Sequence, residues 1–346
     1  MATMKSVQTG GVGRIEVVDV ERPVPGPKDV LLRIRAGGVC GTDVTFLNLG
    51  GMPARAHLGG ELVPVALGHE PAGEIVEAGA EVTGLKVGDR VVVNPQDAPT
   101  GIIGCGGRYG ALSEYLLIEN AKAGRSVAVF PDTVPFEVAA LNEPMAVSRH
   151  AVNRSGAGPD DQVVVFGAGP IGLGAVIWLK LRGVRHVVVA DVIPSRLEKA
   201  LSVGADAVVD SAREDVTARL TELHGQSANA LGQPRPGTGI YLDAAGAPAV
   251  FDTVVANARW HARLVMVAVQ KKGEVDLGGM LRSELTLIAS QGYPTEIFEV
   301  TPELVRHHER FGRLISHRVP FTEVERAFEL ARTPGAAEKV VVTFDA

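Results

Sequence analysis

Residues 162–166 (QVVVF) are apolar almost without a break, and a second apolar stretch, 173–179, follows a turn rich in glycine. The β-branched and aromatic residues of the first stretch predict a strand, and the second, free of turn signals, predicts a helix. The same alternation continues along the chain. HVVVAD is followed by a helix from Ser195 and then AVVD, and later come GIYLDAAG, a helix near Ala249 to Asn257, RLVMVAV and LTLIAS. Unbroken apolar strands alternating with helices predict a parallel sheet covered on both faces.

Before Gly156 the pattern is different. Apolar and charged residues alternate over 30–35 (VLLRIR), which predicts a strand with one wet face. The short strands GEIVEAG and DRVVV are separated by turn residues and ALSEYLLI follows later, as in a compact antiparallel barrel. Between them lie VCGTD, a loose glycine-rich stretch around His57, and an irregular segment from Asn94 to Gly110. Residues 136–151 have helical spacing interrupted by Pro144. After Gly292 the pattern predicts helices near Pro302 to Phe311 and Val324 to Ala331, then a last strand, KVVVTF. This apolar tail could pair with either half.

Two domains are the natural division of 346 residues, and a 46% hydrophobic fraction suffices for two cores. The net charge of −6 contains no basic block, so neither nucleic acid nor an anionic membrane is an expected partner. The first residues, MATMKSVQTGG, lack the apolar core of a secretory signal. Cys40 and Cys105 are the two cysteines, too few for a disulfide framework and suited to a reducing cytoplasm.

The glycine turn carries the first chemistry. Gly167, Gly169 and Gly172, with Pro170 and Ile171 between the last two, form G-x-G-x-x-G between a predicted strand and a predicted helix. In that context the glycines allow close backbone approach, and the helix points free N–H groups at a pyrophosphate. Asp191 ends the next strand, where a carboxylate can accept hydrogen bonds from ribose hydroxyls. The pattern reads as a dinucleotide site. A carboxylate there repels the extra phosphate of NADP and so favours NAD, while Arg196, five residues later, is the nearby group that would favour NADP. Val267, Val269 and the turn Ser290-Gln291-Gly292 end strands where nicotinamide contacts are expected.

A second set of reactive residues precedes that turn: Cys40 in VCGTD, His69 and Glu70 in GHE, and Glu143 in NEP. Thiolate, imidazole and carboxylate form an acceptable zinc shell. Spacing alone leaves this open, because a single cysteine is more often a small core residue and a single histidine a hydrogen-bonded structural one.

GHEPAGEIVEAGAEV, with Gly68, Gly73, Gly79 and Val82, resembles the G-H-E-x2-G-x5-G-x2-V signature of zinc-dependent medium-chain dehydrogenases. VCGTD, GDRVVV, LNEPMAVSRHAV, GAGPIGLGAV and the closing LISHRVPFTEVERAFEL are similar to that family's blocks in the family's order. Glu143, standing where liver-type alcohol dehydrogenases carry cysteine, makes the sorbitol, threonine and butanediol dehydrogenases the most similar group.

The resemblance implies an α/β chain with a GroES-like β-barrel catalytic domain over 1–152, completed by 293–346, and a Rossmann domain of doubly wound parallel sheet over 153–292. It implies one catalytic zinc held by Cys40, His69 and Glu70, with Glu143 as ligand or exchanging neighbour. Thr42 would take the proton of the substrate hydroxyl, and Asp43 would orient the ligands. His150 could face the site or be a satisfied buried histidine. The implied reaction moves a hydride between a secondary alcohol or polyol, or the matching ketone, and NAD. A homodimer or homotetramer pairing near Leu285 to Ser290 is implied as well.

The sequence also departs from the family pattern. Residues 94–111 offer only Cys105 where many members carry four cysteines, so no structural zinc is expected and Cys105 reads as a plain thiol. Thr45 and Asn48 stand where a histidine often completes the proton relay, and His57 is a weak substitute. The competing readings are a zinc-free, NADPH-using reductase of the quinone type and a catalytically silent nucleotide binder; the complete donor set and Thr42 weigh against both.

Overall fold

The computed structural model describes residues 2–53, 61–269 and 274–344. The chain divides into two compact units, Met1–Glu143 with Ile297–Ala346 and Pro144–Glu296.

The strand Val30–Gly38 is the axis of the first unit. It pairs antiparallel with Glu70–Ala78, with Tyr115–Ile118 and with Lys339–Thr343. Neighbours on both sides and packing on both faces bury Val30, Leu31, Leu32 and Ile34 completely. The expected wet face is therefore covered, and only Arg33 and Arg35 reach partway to solvent. The sheet continues through Arg90–Val93 to Val127–Val129 on one side and ends at Ile315–Pro320 on the other. Ile315–Pro320 and Lys339–Thr343 run parallel, so the expected barrel is not wholly antiparallel. The tail's place is thereby decided: its last strand completes the first unit. Helix Val324–Arg332 buries Val324, Ala327 and Phe328, at helical spacing, in the same core as Ile34, Ile75 and Val342.

In the second unit six parallel strands lie in the order Ala207–Asp210, His186–Asp191, Gln162–Phe166, Ile240–Asp243, Arg263–Met266 and Thr286–Ala289. Strand order reverses beside Gln162–Phe166, the first strand of the set, which is the switch point of a doubly wound sheet. The valine runs 163–165 and 187–189 are fully buried, as continuous apolar strands require. Trp178, in helix Pro170–Leu181, donates its indole N–H to the Met145 carbonyl (2.9 Å) and ties that helix to Asn142–Ser155.

Several local expectations change. The predicted interruption at Pro144 falls earlier: helices Phe136–Ala139 and Asn142–Ser155 are separate, and Pro144 lies in the first turn of the second, where its missing N–H is harmless. A helix, Gly41–Leu49, occupies what reads as loose chain, because its apolar residues do not share one face and only Asp43 and Leu47 are buried. Helices Val216–His224 and Leu277–Ser283 also escape the pattern, although Asp215 and Asp276 cap them by accepting from Ala218 N and Gly279 N. The helix expected near 302–311 is two short pieces, Thr301–Arg306 and His308–Gly312. Among the described residues no helix is long and apolar enough to cross a membrane.

Candidate metal centre

Cys40 stands where the strand Val30–Gly38 gives way to helix Gly41–Leu49, with extended backbone (φ −106°, ψ 158°) at the helix N-cap. Its N–H donates to Asp43 Oδ2 (2.9 Å), which satisfies one of the groups a helix start leaves over. Asp43 Oδ1 accepts from Gly68 N (2.9 Å) and lies 3.6 Å from His69 Nδ1. One fully buried carboxylate thus fixes the backbone on either side of two candidate ligands and faces the ring of one of them. With Nδ1 turned to Asp43, Nε2 is the nitrogen left for coordination, as metal-binding histidines are commonly arranged.

Glu70 follows at once and opens the strand Glu70–Ala78, opposite Gly38. Ligand atoms of Cys40, His69 and Glu70 all lie within 4.8 Å of one another. Glu143, in the first turn of Asn142–Ser155, is buried but stands outside that set. Glu70 Oε1 is buried and accepts no hydrogen bond, whereas Oε2 is ion-paired with Lys339 Nζ. A buried carboxylate oxygen without a donor is costly, and a cation at the centre of this set would relieve it. Thiolate, imidazole and carboxylate are the donor types zinc takes, so the residues present fit a zinc ion.

The surrounding charges agree. Burial would push His69 down, but the negative charges of Asp43 and Cys40 outweigh it and hold its pKa well above the ordinary value. Burial would push Asp43 up, but His69 and the N–H groups of Cys40 and Gly68 hold it below the usual carboxylate value. Lys339, also lowered by burial alone, is raised by Glu70, Cys40 and Glu143. The centre therefore attracts positive charge, as a site for a cation must.

Thr42 is half-buried with its hydroxyl 3.8 Å from Cys40 Sγ. Thr45 donates to the Gly41 carbonyl (2.9 Å), and Asn48 is exposed. His57 lies outside the described residues. His150 is held by Glu296, whose Oε1 is 3.0 Å from Nδ1. Cys105, expected as a plain thiol, has its sulfur 3.7 Å from His69 Nδ1, on the same side of the ring as Asp43. Lys339, ion-paired with Glu70, is the neighbour of this set that sequence reasoning missed. A lysine at the start of KVVVT reads as the solvated end of a strand, and nothing in its local pattern marks it.

In the second unit, Gly167 has φ +93° and the Gly172 position has room for no side chain, since a Cβ there would come within 1.8 Å of the Gly167 carbonyl oxygen. A Cβ on Gly169, the N-cap of Pro170–Leu181, would meet nothing within 4 Å, so neither fold nor packing demands glycine there. Close approach of a phosphate to that helix end would. Asp191 is buried and accepts from Ala168 N (2.6 Å) and Ile193 N (2.9 Å), which ties the turn to the end of the second strand and leaves a lone pair on each oxygen. Half-buried Arg196 lies on helix Pro194–Ser202 just beyond. Val267 N donates to the Asp243 carbonyl (3.0 Å), Val269 is 90% exposed, and Ser290 is buried.

Two family models match the chain, the alcohol dehydrogenase GroES-like domain over residues 26–128 and the zinc-binding dehydrogenase over 170–307. The (R,R)-butanediol dehydrogenase of Bacillus subtilis is 31% identical over 321 residues, covering 88% of each chain. Human sorbitol dehydrogenase is 29% identical, covering 98% of this chain and 96% of its own. A zinc-binding dehydrogenase from Sinorhizobium meliloti, solved with NADP, superposes with a TM-score of 0.83 at 27% identity, covering 99% of this chain and 100% of its own.

Asp43→Asn keeps the shape of the residue but loses the charge and one of the two oxygens that accept from the Cys40 and Gly68 N–H groups. Zinc affinity measured by chelator competition should fall by about 10- to 100-fold. An unchanged affinity in a folded variant would show that Asp43 does not orient the ligands.

Proposed function

The chain belongs to the zinc-dependent medium-chain dehydrogenase family, and on that premise we propose that it is a zinc- and NAD-dependent oxidoreductase acting on a secondary alcohol or polyol, or in reverse on the matching ketone. The observation that carries the reading is the meeting of Cys40, His69 and Glu70 within 4.8 Å, beside a threonine hydroxyl. When bound, zinc supplies a Lewis acid that makes an alcohol hydroxyl more acidic, and the nicotinamide supplies the hydride acceptor.

The chain's own residues do the rest. Cys40, His69, Glu70 and, by exchange, Glu143 hold the ion, and Asp43 keeps His69 in the tautomer that presents Nε2. Oxidation of a secondary alcohol to a ketone releases one hydride and one proton. Thr42 is the group placed to accept that proton from the substrate oxygen and pass it on. Gly167, Gly169 and Gly172, with Pro170 and Ile171, let the pyrophosphate approach the start of Pro170–Leu181, and Asp191 accepts from the ribose hydroxyls. Val267 and Val269 line the approach to the nicotinamide, and Arg196 stacks on the adenine side.

NAD is favoured over NADP because a carboxylate at Asp191 would face the extra phosphate. The zinc-free quinone-type reading is disfavoured by the clustered donor set, which such chemistry does not need. We further propose that two copies pair through Thr286–Ala289, the edge strand of the six-stranded sheet, whose Leu287 is 39% exposed.

Cys40→Ala should remove bound zinc, measured by elemental analysis, and lower alcohol oxidation at least about a thousandfold, given the several kcal/mol a metal supplies. NADH binding should survive; retained zinc and turnover would refute the assignment. Asp191→Ala should weaken NADH by about 10- to 100-fold more than NADPH, because the brace on the turn is lost for both but the hydrogen bonds to a charged group only with the free ribose. Equal losses in a fluorescence titration would end the cofactor argument. Sedimentation at micromolar concentration should give a dimer or a multiple of it, and a monomer would exclude the pairing.

A further inference from the structure

Gly38 lies between two strands that carry opposite charges. In register it faces Glu70 on one side and Val341, two residues past Lys339, on the other. Having no side chain, it lets the Glu70 carboxylate and the Lys339 ammonium meet above it. A Cβ at that position would come within 1.8 Å of Glu70 Oε2 and 3.1 Å of Lys339 Cε. Lys339 is 2% exposed, donates to the Val39 carbonyl (2.9 Å) and is ion-paired with Glu70 Oε2. Val39 precedes Cys40, so this one ammonium touches the backbone beside one metal donor and the carboxylate of another.

A buried ion pair is a poor way to add stability, because desolvation consumes most of the attraction. Its position among donors suggests another role. Cys40 as thiolate, Glu70 and Glu143 carry three negative charges, His69 as a ligand carries none, and a divalent ion would leave one negative charge over. Lys339 cancels it. The charge of Asp43 is taken up separately, by the N–H groups of Cys40 and Gly68.

We propose that Lys339 is a positioning residue that competes with the metal ion for the Glu70 carboxylate, so that Glu70 holds the ion less firmly than an unpaired carboxylate would. The proposal rests on the zinc reading above. An ammonium claiming Oε2 leaves Oε1 as the oxygen available to an ion and draws electron density away from it. A loosely held Glu70 leaves a coordination position that a substrate oxygen can take. An unopposed Glu70 would close it.

The test measures metal affinity with zinc and with cobalt(II), the latter by its visible absorbance, in competition with a chelator. Lys339→Met should bind both ions roughly tenfold or more tightly than the wild-type chain, since a positive charge a few ångströms away is gone and the carboxylate is released. Release of zinc to excess chelator should slow, and the cobalt bands should shift as Glu70 becomes a permanent ligand. In the Glu70→Gln background the same substitution should tighten binding clearly less, because only the direct repulsion between ammonium and ion remains to be lost. Where Lys339→Met does not fold, Lys339→Gln, which keeps a donor for the Val39 carbonyl, carries the comparison. Equal or weaker metal binding in the Lys339 variants would overturn the proposal, as would a tightening of the same size without Glu70. A wild-type chain that takes up neither ion would instead overturn the zinc reading itself.

Discussion

Anionic donors brought together in dry protein must be offset by something, and the first unit is built around how that is done. Two like charges 4 Å apart repel by about 4 kcal/mol even at an effective dielectric of 20, enough to matter against the marginal stability of any domain. Three compensations are visible. Asp43 is satisfied by backbone N–H groups at a helix start and ahead of His69. His69 is pushed toward its protonated form by Asp43 and Cys40. Lys339 is buried against Glu70. The first two act on His69 and on the backbone around it, and the third acts on Glu70.

The second unit meets a different constraint by similar means. A phosphate-binding turn must be rigid and yet present bare backbone, so its order cannot come from side chains of its own. Asp191 provides it from the next strand by accepting Ala168 N from the turn and Ile193 N from the start of the following helix. The residue that reads in sequence as a ribose acceptor is therefore also a brace. Both uses are compatible, because each carboxylate oxygen has a second lone pair.

Much of this was legible in the sequence. The parallel sheet was announced by valine runs at 163–165 and 187–189, which only burial on both faces explains, and the turn by glycines with a strand before and a helix after. Cys40, His69 and Glu70 were legible only through the resemblance, because their spacing reflects a β-sheet that brings residue 38 opposite residue 70 and has no local signature. The helix Gly41–Leu49 was hidden because a site rather than a core decides its inner face: Asp43 is buried there for its hydrogen bonds, and an apolar-period search counts it as solvent-exposed. Asp215 and Asp276 were readable capping signals, and reading them would have recovered two helices.

The position of the tail shows where apolar patterning stops discriminating. Val340, Val341 and Val342 are fully or almost fully buried and would suit an edge of either sheet equally well, since a valine run asks only for apolar cover. Lys339, just before them, is a different matter. A lysine at 2% exposure needs a carboxylate and a carbonyl within reach, and the strand beside Gly38 offers both, Glu70 across the strand and Val39 along it. The hydrophobic run makes the tail a strand, and its place beside Gly38 brings Lys339 to Glu70 and Val39. A segment about three hundred residues from Cys40 thereby becomes part of the candidate metal centre for an electrostatic reason, which no window along the sequence could contain.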